Sequence, residues 1–393
     1  MPNTSTKTVS MNVERISASF RSHYDQTPVI AKSPGRINII GEHTDYNNGY
    51  VMPAAIDKAI YVAVAKRDDD EIHLFSEGYQ QSYIANIHQL KRSEKGWVNY
   101  LLGVADQLQK FGYALGGFNL YIDGDVPLGA GLSSSAAVEC ATGYALGKLF
   151  GLEIPKPELA KIAQKAEQLF AGVNCGIMDQ FASVFGRKGY AVLLDCRSMD
   201  YNYIPLSLDG HKLVLFNTNV KHSLSNSAYN TRREQCEKGV ALVKAHHPAV
   251  ENLRDVTAAM LEEHVKPVDE EVYQKCSYVV AENERVITAV AQLKAGNLKG
   301  LGEAMFATHE GLSKTYEVSC EELDFLVDSV KPLPDVLGAR MMGGGFGGCT
   351  INIIKDEAID DLIENLTASY AQKFNLKLDA YIVETGDGST QIL

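Results

Sequence analysis

The feature that most constrains this chain is a run in which Pro127, Leu128, Gly129, Ala130, Gly131 and Leu132 lead into Ser133, Ser134, Ser135, Ala136 and Ala137. An apolar stretch at 117–122, which reads as a strand, precedes it. An alanine-rich stretch at 133–150, stopped by Gly151, reads as a helix and follows directly. Strand, glycine turn and helix start are therefore joined over a very short span. Glycine tolerates backbone conformations that aim successive N–H groups at one anion, and a helix N-terminus adds partial positive charge there. The plainer reading is a serine cap after a glycine turn. A cap needs one serine. Three serines behind two spaced glycines point to phosphate, with hydroxyls for its oxygens or for a metal ion. No Gly-Lys-Ser/Thr follows, so it is not a Walker A loop, and the third glycine of a dinucleotide fingerprint is missing.

Two other runs carry chemistry. Gly343, Gly344, Gly345, Phe346, Gly347 and Gly348 formally satisfy G-x-G-x-x-G. The residues that follow, 349–354, read as a strand, so a dinucleotide site lacks its strand–turn–helix context. A flexible loop and a loop that hugs a ligand both remain open for this run. The third runs through Gly35, Arg36, Ile37, Asn38, Ile39, Ile40, Gly41, Glu42, His43, Thr44, Asp45, Tyr46 and Asn47. Its apolar centre, 37–40, is expected to be buried. The Glu-His-Thr-Asp stretch offers donors and acceptors to a polyhydroxylated ligand. Adjacent side chains on a loop do not reproduce the helical spacing of a metal-chelating H-E-x-x-H pair.

A chain of 393 residues exceeds one ordinary core and suits two domains. Its 37 Lys+Arg against 49 Asp+Glu give a net charge of −12, the wrong sign for wrapping nucleic acid. An apolar fraction of 45% excludes wholesale disorder. The apolar stretches are strand-length, and no basic segment followed by an apolar block opens the sequence, so neither a membrane span nor a signal peptide is expected. Seven scattered cysteines without a C-x-x-C pair argue against a disulfide framework and against structural zinc. A soluble, reduced, cytoplasmic protein is expected. Strands are predicted at 28–32, 58–66, 72–75, 191–196 and 212–217, and a helix at 157–171 closed by Gly172. Long helices are predicted at 270–295 and 298–316, then a strand at 349–354, a helix at 357–373 and a strand at 378–383. The change from strand-rich to helix-rich sequence places a domain boundary near residue 205, giving 1–205 and 206–393, with a strand or tail free to cross back. The acidic residues 68–71 read as a solvated turn.

Taken together, the three runs resemble the three motifs of the GHMP family of sugar and small-metabolite kinases. Residues 35–47 look like the signature of its galactokinase branch, 127–137 like its ATP-phosphate loop, and 338–350 like its glycine-rich third motif. The resemblance spans nearly the whole chain. It implies a two-domain α+β fold, with a mixed sheet in the N-terminal domain, a helix-covered antiparallel sheet in the C-terminal domain, and the active site between them. It implies transfer of the ATP γ-phosphate to the C1 hydroxyl of α-D-galactose, the first step of galactose use by the Leloir pathway. Carried over by position, Glu42, His43, Thr44, Asp45, Asp179 and Tyr229 would bind the sugar. Gly129, Ala130, Gly131, Leu132, Ser133, Ser134 and Ser135 would hold the nucleotide, with Ser76 touching it. Ser135 and Glu167 would position Mg2+. Asp179 would face the C1 hydroxyl, with Arg36 beside it as the second catalytic residue. Galactose and Mg-ATP are the implied partners; no nucleic acid, membrane or obligate protein partner is expected.

Physical chemistry supports the carried-over roles. Asp179 lies among Ile177, Met178 and Phe181, so an ionised side chain there needs a partner. A guanidinium beside a carboxylate favours its charged form, able to accept a hydroxyl proton or hold its hydrogen bond. A loose transition state does not require full proton abstraction, so base and electrostatic roles both remain open, as does a structural salt bridge. One rival is a catalytically silent sugar and ATP sensor, a departure that in this family removes residues from the serine loop. Here Ser133, Ser134, Ser135, Ala136 and Ala137 are all present, which favours an enzyme. A second rival keeps the chemistry but takes N-acetylgalactosamine, which needs space at C2.

Overall fold

The structure, a computed structural model, describes residues 13–127, 129–220 and 225–393; Leu128 of the glycine–serine run lies outside them. The strands are β1 (Val29–Asn38), β2 (Tyr50–Val51), β3 (Pro53–Lys66), β4 (Glu71–Ser76), β5 (Gln81–Asn86), β6 (Phe118–Gly124) and β7 (Tyr190–Asp195). They continue with β8 (Tyr201–Pro205), β9 (His211–Asn217), β10 (Val336–Met341), β11 (Cys349–Lys355), β12 (Asp379–Val383) and β13 (Thr390–Gln391). One sheet runs β13-β1-β3-β6-β4-β5 and is mixed, because β4 and β6 are parallel. A second, β10-β11-β9-β12, is antiparallel, and a small sheet joins β2, β7 and β8. The expected α+β architecture is what the chain adopts.

Alternation decides which side chains face which layer. In β3, Val62 and Val64 join the main core beneath the helices Gly96–Lys110 and Ser134–Phe150. Ala63 and Ala65 face the other way, against Ile16 and Phe20 of the helix Val13–Tyr24. The second sheet is likewise apolar on both faces. Leu213, Leu215, Ile351 and Ile353 belong to the main core, while Val214, Phe216 and Ile354 pack under the helices Glu321–Val330 and Ile359–Phe374. The inner face of the C-terminal sheet is thus buried against the N-terminal half, which sets the two glycine runs beside each other.

The predicted elements are present with shifted limits. The strand expected at 28–32 runs on to Asn38 and so carries Arg36. Its pairing with β3 slips between Pro34 and Arg36, where a Cβ on Gly35 would lie 2.9 Å from the Leu132 carbonyl. That close approach brings the glycine–serine loop onto β1, and Arg36 N–H donates to Leu132 O at 3.1 Å. The helix expected at 157–171 is α-helical over Lys156–Ala166 and widens to a π turn at Glu167–Ala171, a distortion that recurs at functional sites. The helix at 298–316 behaves alike, with Leu298–Glu310 followed by a wide turn at Gly311–Thr315. The strands β5, β8 and β10 and the helices Val13–Tyr24 and Gly96–Lys110 were not among the predicted elements. A tail does cross back: β13 pairs with β1, and the Ser33 and Ser389 hydroxyls meet at 2.8 Å. Among the described residues no helix is long and apolar enough to cross a membrane.

Candidate active site

A cavity of about 50 Å³ lies where β1, the loop after it and the 343–348 loop converge. Arg36, Glu42, His43, Asp45, Asp179 and Tyr229 line it, with Cys175, Gly176, Met178, Gly343 and Gly344 completing the wall. Ile37, Ile39 and Ile40 are fully buried beneath, as their apolar character requires. Nearly all the residues expected around a sugar therefore meet in one place, although they come from distant parts of the chain.

Asp179 occupies the first turn of the helix Met178–Phe185, and Arg36 grips it with two bonds, Nε to Oδ1 at 2.7 Å and Nη2 to Oδ2 at 2.9 Å. The third guanidinium nitrogen donates to Gly131 O at 2.6 Å. The Arg36 side chain is only 4% exposed, so this two-pronged pair is not a solvated surface contact. Ser133 donates its hydroxyl to the same carboxylate. Ser133 stands in the left-handed region at φ 53°, and its side chain caps no helix N–H, so the plain-cap reading of the serine run fails. Gly129 and Gly131 also have positive φ, 73° and 70°, the freedom the run's glycines were expected to supply. Ala130 and Leu132 are buried in the core, leaving only their backbone to a ligand.

Ser135 stands beside Glu167, the residue that opens the π turn, close enough to favour its charged form. Burial, and then the charge of Asp179, push the Glu167 carboxyl up to about 7 against the pull of Ser135, Cys175 and Gln180. Among the described residues no cationic side chain pairs with it, and no cluster of three His, Cys, Asp or Glu side chains is poised for a metal. One hydroxyl where a phosphate-type loop enters its helix, and one buried carboxylate without a cationic partner, suit a hard divalent cation that takes its other oxygens from phosphate and water.

On the opposite wall, His43 adopts φ 63° and contacts Tyr46 Oη through Nδ1 at 2.8 Å; Tyr46 in turn meets Tyr316 Oη at 2.7 Å. Burial pushes the imidazole down to about 3, so the ring is neutral, and its buried Nε2 has no partner. Asp45 is pushed up to about 6 by burial and by the charge of Asp179, while the Tyr46 and Met178 N–H groups pull it down. A Cβ on Gly176 would fall 1.9 Å from Asp45 Oδ2, so only glycine allows this packing. The Tyr229 ring lies 5.4 Å from that of His43.

Glu42 exposes an unforeseen partner. Its Oε2 pairs with Arg340 at 2.6 Å, and its Oε1 accepts the Gly343 N–H at 3.0 Å. Arg340 is fully buried and also donates to the carbonyls of Asn38, Ile39 and Met341. A single arginine in the apolar stretch Val336–Met341 was the available sign. The 343–348 loop is fixed by Gly343 to Glu42 and by Phe346 N–H to Val318 O at 2.7 Å, and it lines the cavity, so it hugs the site. Two of the expected residues lie outside this cavity. Thr44 spends its hydroxyl on Gly41 O and Tyr50 O, at 3.0 and 2.6 Å, and staples its own turn instead of facing the cavity. Ser76 ends β4 opposite Ile122 of β6 and does not line the cavity, although β6 leads into the glycine–serine loop.

Comparisons with known proteins agree in sequence and in fold. The description "GHMP kinases N terminal domain" matches residues 99–187, "Galactokinase galactose-binding signature" 18–66, and "GHMP kinases C terminal" 289–372. A galactokinase of Thermotoga neapolitana is 42% identical over 92% of this chain and 99% of its own. One of Clostridium acetobutylicum is 39% identical over 98% and 99%. The crystal structure of Lactococcus lactis galactokinase complexed with galactose superposes with a TM-score of 0.92 at 33% identity, covering 96% of this chain and 99% of that one. The mevalonate kinase of Methanococcus jannaschii, at TM-score 0.66 and 18% identity, shares the fold.

Proposed function

This chain belongs to the galactokinase family of GHMP kinases, and from that premise we propose that it transfers the γ-phosphate of ATP to the C1 hydroxyl of α-D-galactose. The observation that carries the reading is Asp179, held at once by Arg36 and by Ser133. One carboxylate thereby joins the polar cavity to the glycine–serine loop, which is where an acceptor hydroxyl and a phosphate must meet.

Phosphoryl transfer asks for alignment and charge neutralisation more than for covalent help. Glu42, His43, Asp45 and Tyr229 orient the sugar, the unpaired His43 Nε2 being open to a ring hydroxyl. Asp179 accepts the C1 hydroxyl proton, or its hydrogen bond, while Arg36 fixes the carboxylate and lends positive charge. The backbone of Gly129–Leu132 and the hydroxyls of Ser134 and Ser135 receive the phosphates. Alignment is worth about 7–11 kcal/mol of barrier and a general base roughly 10²–10⁴-fold, so positioning outweighs proton transfer. Ser135 and Glu167 would hold Mg2+, which when bound neutralises charge on the phosphate oxygens.

The proposed domains are 1–205 and 206–393. The support is that β1 to β8 pair among themselves, β9 to β12 likewise, and among the described residues only β13 and the bridge at Thr385 cross back. Seven free thiols support a reducing compartment, the cytoplasm.

The test offers galactose, N-acetylgalactosamine, glucose and mevalonate to the protein with Mg-ATP, follows ADP release and locates the phosphate by NMR. Galactose is expected to be the preferred acceptor, carrying phosphate on O1. In Asp179→Asn the single-turnover rate should drop by roughly 10²-fold or more while the protein stays folded. Phosphate on O6, or no turnover with galactose, would contradict the substrate; a near-wild-type rate in folded Asp179→Asn would contradict the role of Asp179.

A further inference from the structure

One layer behind Ser135 and Glu167 lie two groups with no part so far in the reaction. Glu139 stands a helical turn beyond Ser135 on the helix Ser134–Phe150, and Gln180 directly follows Asp179 on the helix Met178–Phe185. Both are completely buried. The Gln180 amide nitrogen donates to Glu167 Oε2 at 2.7 Å and to Glu139 Oε2 at 3.2 Å. The Gln180 carbonyl oxygen and the second Glu139 oxygen have no hydrogen-bond partner. Unpaired acceptors in a core are destabilising, and apolar groups of similar size would pack the same space at lower cost. What the pair supplies instead is a fixed amide. With one amide hydrogen taken by Glu139, the other is aimed at Glu167.

We propose that Gln180 and Glu139 are positioning residues for the metal carboxylate: Gln180 holds Glu167 in the orientation that presents an oxygen, beside Ser135, to the divalent cation, and Glu139 holds Gln180. The inference rests on the reading of Ser135 and Glu167 as the cation's protein partners. It also joins the two halves of the chemistry. Asp179, which meets the acceptor, and Gln180, which aims the metal carboxylate, are consecutive on one helical turn. A movement of that turn displaces both. Partners that orient metal-ligating groups typically change affinity or activity by about 10–100-fold when lost.

The experiment uses Mn2+ as the probe, binding to the full-length protein saturated with a non-hydrolysable ATP analogue, with free Mn2+ read by electron paramagnetic resonance. Galactose affinity is measured by calorimetry on the same preparation. Gln180→Leu keeps the bulk and removes the amide. It is expected to weaken Mn2+ binding by roughly 10–100-fold, to leave galactose affinity within about twofold, and to raise the Mg2+ concentration for half-maximal turnover more than it lowers kcat. Glu139→Gln keeps an acceptor for Gln180 and offers a donor to the unpaired Gln180 oxygen, so it should bind Mn2+ as wild type does, whereas Glu139→Leu should lose roughly tenfold or more. Wild-type Mn2+ affinity in Gln180→Leu, or an equal loss in Glu139→Gln and Glu139→Leu, overturns the proposal. Glu167→Ala separates the two levels. If it also leaves Mn2+ binding intact, the metal assignment fails and the positioning role with it; if it weakens binding while Gln180→Leu does not, only the positioning role fails. Should Gln180→Leu not fold, Gln180→Asn, which withdraws the amide by one methylene, is judged by the same outcomes.

Discussion

Asp45 carries a carboxyl that burial, and then the charge of Asp179, push from 3.8 to about 6. The folded chain therefore binds this proton more tightly than the unfolded one. Between about pH 4 and pH 6 the native state holds the extra proton, so its stability falls as pH rises through that window and levels off above it. Asp45→Asn removes this dependence while keeping an acceptor for a backbone N–H. The variant should match wild type near pH 3.5 and exceed it by up to roughly 3 kcal/mol above pH 7, at a rate of about 1.4 kcal/mol per unit. His43 works in the opposite sense, because its depressed value adds stability as pH rises from about 3 towards 6.5. It is common to both proteins and cancels in the difference. Urea unfolding at several pH values checks this; a gap that does not change with pH would refute it.

The contact between the helix Leu298–Glu310 and β10 turns on two glycines. A Cβ on Gly302 would lie 1.8 Å from the Leu337 carbonyl, and one on Gly338 would lie 2.4 Å from the Gly302 Cα. Glycine to alanine inside a helix ordinarily gains about 1 kcal/mol, but forcing atoms into a packed contact costs about 1–3 kcal/mol, and here the obstruction is backbone. Gly302→Ala should therefore destabilise, by about 2 kcal/mol in urea unfolding; a stabilised variant would show that the helix can slide. Elements like this one explain what could be seen in advance. The helix Ser134–Phe150 was legible because its alanines and Gly151 give it a run and a stop, and Gly151 indeed closes it at φ 70°. The helix Gly96–Lys110 opens on a glycine with no side-chain cap, so its start carries no signal. In β10 a glycine and an arginine interrupt the apolar pattern. At the site, the glycine and serine runs were legible because they answer a backbone need. Arg340 was not, since its partner carbonyls lie 301 and 302 residues away and nothing local reports them. Thr44 lies outside the cavity because its turn, which no local pattern reports, decides where the hydroxyl points.

At the scale of the molecule, Arg340 fastens the C-terminal sheet to the loop that carries Glu42. It is fully buried, and its fork serves three carbonyls and a carboxylate at once. An ammonium cannot reproduce that geometry. Arg340→Lys should lose stability, and Arg340→Met, which leaves Glu42 buried and unpaired, should lose about 3–5 kcal/mol and weaken sugar binding. Thermal unfolding and calorimetry check both; an Arg340→Lys protein as stable as wild type would show that the charge alone suffices. The returning tail has a consequence of another kind. Ser33 and Ser389, joined by their hydroxyls, are 356 residues apart. At about 5–20 residues per second, a ribosome takes roughly twenty seconds to more than a minute to deliver the second after the first. Throughout that interval β1, the strand that bears Arg36, has an open edge on the nascent chain, the kind of edge that recruits other strands. Synthesis in a crowded cell therefore exposes this strand at its most adhesive, and β13 covers it only as translation of this stretch finishes.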